Sequence, residues 1–413
     1  MSLKLIKQAL AGKRPFPRMW HQHEMQESYD VVIIGGGGHG LACAYYLAKD
    51  HDITNVAILE KNYIGSGGSG RNTAIVRSNY LTPAGVRFYD ESLKLFEGMA
   101  VEFDFNVMLS QRKGHLTLAH SDGAMRTMRR RAEVNLLEGV ESSVIGTEKI
   151  KKLCPSIDVS DHPRLPIHGA LFHPRGGIMR HDAVVWGYAH HADRMGVHIH
   201  QLTAATDIDV QHGKVVGVQT NRGPIKTGMV LNATAGWSSI IAAMAGVKLP
   251  ITTFPLQALV TEPLKPFLDV VIVSGSLHTY ISQSGRGELV MGAAVDPYAS
   301  YSMRGSLGFT EGIAGHMLEQ FPSLGNVRVM RQWAGLCDMT PDYSQIMGFT
   351  PVEGFVVDGG WGTYGFKATP ASGKRMAELI ATNETPEMIR PFRLSRFYEN
   401  DPVGEKGAAS VGK

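Results

Sequence analysis

The chain is short of cysteine, of charge imbalance and of long apolar runs, and each shortage removes a class of protein. Cys43, Cys154 and Cys337 are its only cysteines, an odd number without Cys-x-x-Cys spacing. That argues against a disulfide framework or a zinc cluster and fits a reducing cytoplasm. Lys and Arg total 41 against 38 for Asp and Glu, a net charge of +3. This leaves no electrostatic case for nucleic acid or a membrane surface, and a small molecule is the expected partner. The stretch Met1 to Trp20 carries Lys4, Lys7, Lys13, Arg14 and Arg18 but no apolar run long enough for a secretory signal or a span. It reads as a surface arm, or as an arm laid on a partner subunit. No repeats, low-complexity tracts or linkers divide the sequence, and its length predicts two or three domains.

Glycine, by contrast, is plentiful and clustered. Tyr29 to Ile34 reads as a buried strand running into Gly35-Gly36-Gly37-Gly38-His39-Gly40, with a helix after it. Gly35 lets the chain turn sharply, Gly37 lets backbone N–H groups approach a pyrophosphate, and Gly40 lets the helix pack on the strand. Phosphates would then meet a positive helix N-terminus, so Gly35, Gly37, Gly38 and Gly40 are candidate cofactor contacts. Val56 to Leu59 is a second apolar strand, and it ends in Glu60, placed to grip a ribose hydroxyl, with Lys61 beside it.

A glycine-dense loop, Ile64 to Arg77, follows, and a simple nicotinamide domain has no need of it. Its small residues, with Ser66, Asn72 and Thr73, let amides reach a second phosphate or a flat ring, and Arg71 and Arg77 suit a phosphate or a carboxylate. A flexible surface loop is the alternative. Helices are expected over Val86 to Phe105 and Met125 to Leu137, with Arg129-Arg130-Arg131 on a solvated face. Strand patterning resumes at Ile167 and leads into Phe172-His173-Pro174-Arg175-Gly176-Gly177. A helix follows from Asp182 to Met195, then strands at Val197 to His200, Val215 to Thr220 and Met229 to Ala233. The region from Pro250 to Trp333 reads as an antiparallel sheet. Finally, strand Phe355 to Asp358 enters a second glycine-rich loop holding Gly359, Gly362, Thr363, Gly365 and Lys367, and Pro370 opens a helix through Ile380. A helix N-terminus there suits the negative charge of a reduced flavin.

Together these residues resemble the glycine/sarcosine oxidase type of flavin-dependent amine oxidase, from Tyr29 to about Asn383. Phe172 through Gly177, Thr340-Pro341-Asp342 and Gly359 through Lys367 are similar to the beta subunits of the heterotetrameric sarcosine oxidases. The resemblance implies an α/β plus α+β fold of the glutathione-reductase/D-amino-acid-oxidase kind. A Rossmann-type FAD-binding domain (29–90, 166–248 and 340–395) would interleave with an antiparallel-sheet substrate domain (91–165 and 249–339), between an N-terminal arm (1–28) and a C-terminal tail (396–413). It also implies oxidation of sarcosine by non-covalent FAD, electron transfer to FMN and reduction of oxygen to peroxide. A larger alpha subunit would carry NAD and tetrahydrofolate, and two small subunits would complete the assembly. Carried over residue by residue, Arg77 and Lys367 pair the substrate carboxylate and Tyr280 lies over the substrate; on the residues alone Tyr280 is equally a core or surface side chain.

Relatives place a lysine above the flavin to activate oxygen, and the corresponding strand here, Leu289-Val290-Met291-Gly292, has none. By itself His173 reads as a satisfied core or surface residue; only the resemblance makes its imidazole the covalent carrier of FMN. None of the 17 histidines has an acid at diagnostic spacing, so no general base stands out. Three rival readings stay open: an oxidase of another N-methyl amino acid such as dimethylglycine, a nicotinamide-dependent dehydrogenase, and a non-catalytic dinucleotide-binding subunit.

Overall fold

The computed structural model describes residues 3–11, 18–104, 107, 109–110 and 113–406. Two sheets organise it. The first runs Ile346–Phe349, Phe355–Gly359, Val230–Asn232, Val31–Ile34, Val56–Glu60, His198–Gln201, parallel throughout except for the antiparallel Ile346–Phe349 edge. Val31–Ile34 sits where the strand order reverses, with later strands on both sides. In an open parallel sheet that point leaves a crevice beyond the strands' carboxyl ends. All four of its residues are buried, as expected for a strand covered by helices on both faces.

The second sheet has eight strands, in the order Val329–Met339, Thr252–Pro263, Glu288–Val295, Thr279–Gln283, Val271–Ser274, His115–Ala119, Gly169–His173, Ser143–Ile145. It is antiparallel apart from the parallel pair formed by Val271–Ser274 and His115–Ala119. One face packs on helix Leu307–Gln320 through Ile281, Leu289, Ile313 and Met317. The other face, with Val271, Val273 and Tyr280, looks toward the first sheet.

Several expectations shift. Gly169–His173, expected in the FAD-binding domain, pairs with His115–Ala119 and so belongs to the second sheet. The helix Leu307–Gln320 lies inside the stretch read as all strand. Its glycines Gly308, Gly312 and Gly315 weaken the helical signal, while Ser306 caps it by accepting from the Phe309 N–H at 3.3 Å. The last long helix begins at Gly365, not at Pro370, and the proline sits inside it. This helix packs on Gly38–His51 so closely that a Cβ at Gly373 would lie 2.3 Å from the Ala42 Cβ.

The two chain ends also depart from a free arm and a free tail. The backbone N–H of His21 donates to Asp193 Oδ1 at 2.9 Å, and the His21 and His23 rings meet the same carboxylate, so this part of the arm lies on its own domain. Arg396 is fully buried and bidentate to Asp342 at 2.8 and 3.0 Å. Glu405, 2 % exposed, accepts from the Leu81 and Thr82 amides at the start of helix Pro83–Glu102. The three cysteines are buried thiols, and no helix among the described residues is long and apolar enough to cross a membrane.

Candidate active site

One cavity of about 670 Å³ runs from the crevice above Val31–Ile34 to the inner face of the second sheet. It gathers Gly35, Gly37, Gly38, Glu60, Lys61, Ser66, Arg71, Asn72, Thr73, Arg77, Tyr280, Gly362, Thr363, Gly365 and Lys367, contributed by segments up to 332 residues apart in sequence. Gly40, Gly359 and His173 lie outside it.

The first end is built from backbone. Gly35 has φ +116°, and a Cβ there would stand 2.4 Å from the Ala233 carbonyl oxygen, so both its turn and its neighbour exclude a side chain. A Cβ at Gly40 would lie 2.1 Å from the Gly35 oxygen, which makes Gly40 the packing glycine of the motif. At Gly37 the nearest atom to an added Cβ is Ser69 Oγ at 3.2 Å, and at Gly67 and Gly68 no atom of the described residues lies within 4 Å. Those glycines leave open space in the cavity wall where a phosphate can approach. Glu60 stands at the strand end and accepts from the Gly36 N–H at 3.0 Å and the Asn62 N–H at 2.8 Å. Lys61 Nζ lies 3.4 Å from the Trp237 ring centroid. Arg71 and Asn72 donate to the carbonyls of Ser66 and Ser69, closing the loop on itself.

The far end is built from charged side chains. Arg77 is 7 % exposed; its guanidinium donates to Asn79 O at 2.9 Å and lies 4.5 Å from the Tyr80 ring centroid. Lys367, in the first turn of the last helix, donates to Thr363 O at 3.1 Å. Burial, reinforced by the Arg77 charge, lowers Lys367 to about 7. Tyr280 lies on the inner face of the sheet, and burial pushes its phenol above the usual range. Gly292 opposite makes room for it, since a Cβ there would fall 2.4 Å from Tyr280 Oη.

Sequence reasoning missed three contributors. Arg131, expected on a solvated face, is 1 % exposed and donates from Nε to Asn79 O at 2.8 Å, beside Arg77. Burial and the Arg77 charge depress its pKa, yet it stays cationic at neutral pH. The signal was periodic: Met128, Arg131, Ala132 and Asn135 form one buried stripe, while Arg129 and Arg130 are exposed. His115 lines the cavity from a strand that the pattern did not reveal. Asp358 ends the strand before the second glycine loop and gathers His39 Nδ1 at 3.0 Å, Ser372 Oγ at 2.6 Å and Trp361 Nε1 at 2.8 Å. Burial lowers the His39 pKa, but the Asp358 charge outweighs it and the net shift is upward.

His173 is 0 % exposed. Its Nδ1 faces Glu141 O at 2.9 Å, and its Nε2 is 3.4 Å from the Ser78 N–H and hydroxyl. Burial, with nearby arginines, lowers its pKa to about 4. The ring is therefore neutral, with Nδ1 carrying the proton and a lone pair on Nε2.

Residues 30–379 match the family model described as FAD dependent oxidoreductase. The chain is 47% identical over 406 residues to the sarcosine oxidase subunit beta of Rhizobium meliloti (strain 1021), covering 98% of this chain and 97% of that protein. It is 45% identical over 393 residues to the sarcosine oxidase subunit beta of an Arthrobacter species, covering 95% and 97%. Among solved structures it is similar to an L-proline dehydrogenase from P. horikoshii, with a TM-score of 0.84, 28% identity, and 92% and 100% of the two chains covered.

Proposed function

The chain belongs to the FAD-dependent oxidoreductases and, among them, to the sarcosine oxidase beta subunits, and on that premise we propose that it oxidises the N-methyl amino acid sarcosine as the flavoprotein subunit of a larger assembly. The observation that carries the proposal is the two-ended cavity, glycine-lined where a dinucleotide fits and cationic where a carboxylate fits. FAD suits the residues present. The open wall at Gly37, Gly67 and Gly68 leaves room for the pyrophosphate, the Gly38–His51 N-terminus favours its charge, and Glu60, at the end of the second strand, would take the ribose hydroxyl. Bound FAD supplies the acceptor for two electrons. Gly362 to Gly365, at the start of the last helix, bring a second N-terminus to the cavity.

The chain's own side chains then do the binding and orienting. Arg77 and Lys367 hold the carboxylate, Arg131 adds positive charge behind Arg77, and Tyr280 covers the substrate from the sheet. Held this way, the carboxylate would orient the N-methyl carbon toward bound FAD, and orientation of this kind supplies much of the rate. Lys367 is near its titration point and takes the charged form when a carboxylate arrives.

The finer claims rest on kinship: covalent FMN on His173, oxygen reduced to peroxide, an alpha partner with NAD and tetrahydrofolate, two small subunits, and a cytoplasmic location. His173 offers a neutral Nε2 lone pair, which suits attachment. It is nevertheless enclosed and lies outside the cavity, so a flavin ring does not fit beside it in the single chain. A tryptic peptide spanning His173 from the assembled enzyme should carry the mass of FMN; an unmodified peptide would remove that part of the proposal.

The test of the main reading is anaerobic mixing of the purified holoenzyme with sarcosine, dimethylglycine, glycine and a nicotinamide cofactor. Bleaching of the flavin by sarcosine first, with peroxide formed on admitting air, is the expected result. A colourless chain, even after coexpression with its partner subunits, would contradict it. The nicotinamide and non-catalytic alternatives predict no bleaching by any amino acid.

A further inference from the structure

The cavity contains a histidine that no function yet uses. His115 opens the strand His115–Ala119 and lies opposite Val271 on one side and His173 on the other. It is 1 % exposed, lines the cavity, and has no hydrogen-bond partner among the described residues at either Nδ1 or Nε2. Leaving two buried ring nitrogens unsatisfied costs about 1–3 kcal/mol each in an ordinary core. Such an arrangement is expected where a ligand completes the bonds. His115 is also neutral: burial disfavours its charged form first, and the charges of Arg77, Arg131 and Lys367 around it act in the same direction.

The neighbours decide which ligand group it meets. Arg77, and Lys367 once the carboxylate has charged it, can only donate, so with Arg131 behind them they serve the carboxylate and offer nothing to an ammonium group. A neutral imidazole carries one nitrogen lone pair, an acceptor of the kind an ammonium N–H needs. An N-methyl amino acid in neutral water is a zwitterion, and its amine can be oxidised only after the nitrogen has lost a proton. We propose that His115 is the catalytic residue that binds the substrate ammonium group and removes its proton, delivering the amine as the free base. The proposal rests on the sarcosine reading above. In this step an N–H bond of the ammonium group breaks and its electron pair stays on nitrogen, while an N–H bond forms on the imidazole. The resulting imidazolium is opposed by Arg77, Arg131 and Lys367 and supported by the bound carboxylate, and its proton passes on to water. No oxidant enters this step.

The test uses full-length, FAD-loaded protein and two variants, His115→Asn and His115→Gln, which keep a polar side chain in the wall. Both should retain flavin content and the affinity of the wild type for propionate, which has the carboxylate and lacks the amine. Flavin reduction by sarcosine at neutral pH should slow by about 100-fold, the scale of one general base. In the variants the rate should climb by about tenfold per pH unit, the slope of a single ionisation, and approach the wild type once the amine deprotonates unaided. Titration of Lys367 is common to all three proteins, so the ratio of rates isolates His115. Nitrogen NMR of the imidazole should show His115 neutral in the free holoenzyme, and, with sarcosine added to holoenzyme whose flavin has been reduced beforehand, one ring-nitrogen resonance shifted by the ammonium N–H it accepts. A rate gap that stays constant with pH, weakened propionate binding, or loss of flavin in both variants would overturn the proposal. If sarcosine fails to reduce even the wild-type flavin, it is the sarcosine reading that fails, and the propionate and NMR results still judge His115.

Discussion

The two ends of the cavity solve different problems with different parts of the chain. At the dinucleotide end, contact is made by backbone, so what matters is the absence of side chains: Gly35, Gly37 and Gly40 act by what they leave out. At the substrate end, Arg77, Lys367 and His115 are brought in from three separate segments, with Arg131 behind Arg77, and act by the charges and lone pairs they present. The first end is specified by spacing within a dozen residues, the second by tertiary packing. One lesson follows: a change at the first end should remove the cofactor, whereas a change at the second should leave the cofactor in place and remove its reductant.

The sharpest break should come at Gly40. Its added methyl meets the Gly35 backbone at 2.1 Å, so Gly40→Ala should cost about 3 kcal/mol or more of stability through overpacking against atoms that cannot move aside. A urea midpoint equal to that of the wild type would show that the helix can retreat from the strand. Next is Arg77→Gln, expected to lower kcat/KM for sarcosine by about 100-fold or more, as when one partner of a buried charge pair is lost. Arg77→Lys should recover only part of this, because an ammonium cannot reproduce a two-pronged guanidinium contact; full recovery would argue against a bidentate carboxylate.

Lys367 sharpens the contrast through pH. In the free chain its pKa is lowered to about 7, so above that pH carboxylate binding must take up a proton. Propionate affinity should therefore fall as pH rises through this range, by up to about tenfold per unit, and Lys367→Met should abolish the slope while leaving flavin content alone. A flat profile in the wild type would place the carboxylate elsewhere. Glu60→Gln returns to the first end. Losing one charge-assisted bond to a ribose hydroxyl should weaken FAD by about 1.5–3 kcal/mol, measurable as a raised Kd in apoprotein titration with turnover per bound flavin unchanged.

How far each end was legible in the sequence follows from the same contrast. The strand, turn and helix from Val31 to His51 and the carboxylate at Glu60 could be read directly, because glycine spacing and a short apolar strand are local signals. Arg77 and Lys367 came from resemblance, since nothing in their own neighbourhoods brings them together. Arg131 was hidden in a run of three arginines, where composition suggests solvent and only the buried stripe with Met128 and Asn135 says otherwise. His115 was invisible because its strand is short and buried on both faces, which erases the alternation that betrays a half-exposed strand. The second sheet was expected in kind, but its parallel pair and covering helix were not. Both depend on contacts between residues far apart in sequence.

The central claim is that one end of the cavity holds the flavin and the other holds the substrate that reduces it, and a pair of variants tests this most directly. Gly37→Ala places a methyl group in open cavity wall without touching backbone, its nearest neighbour being Ser69 Oγ at 3.2 Å. Flavin content and anaerobic bleaching by sarcosine should be measured on this variant and on Arg77→Gln in parallel. The account predicts that Gly37→Ala folds but purifies without flavin, and that Arg77→Gln purifies with a full complement that sarcosine no longer bleaches. Flavin retained in the first variant, or lost from the second while the remaining flavin still bleaches normally, would contradict it.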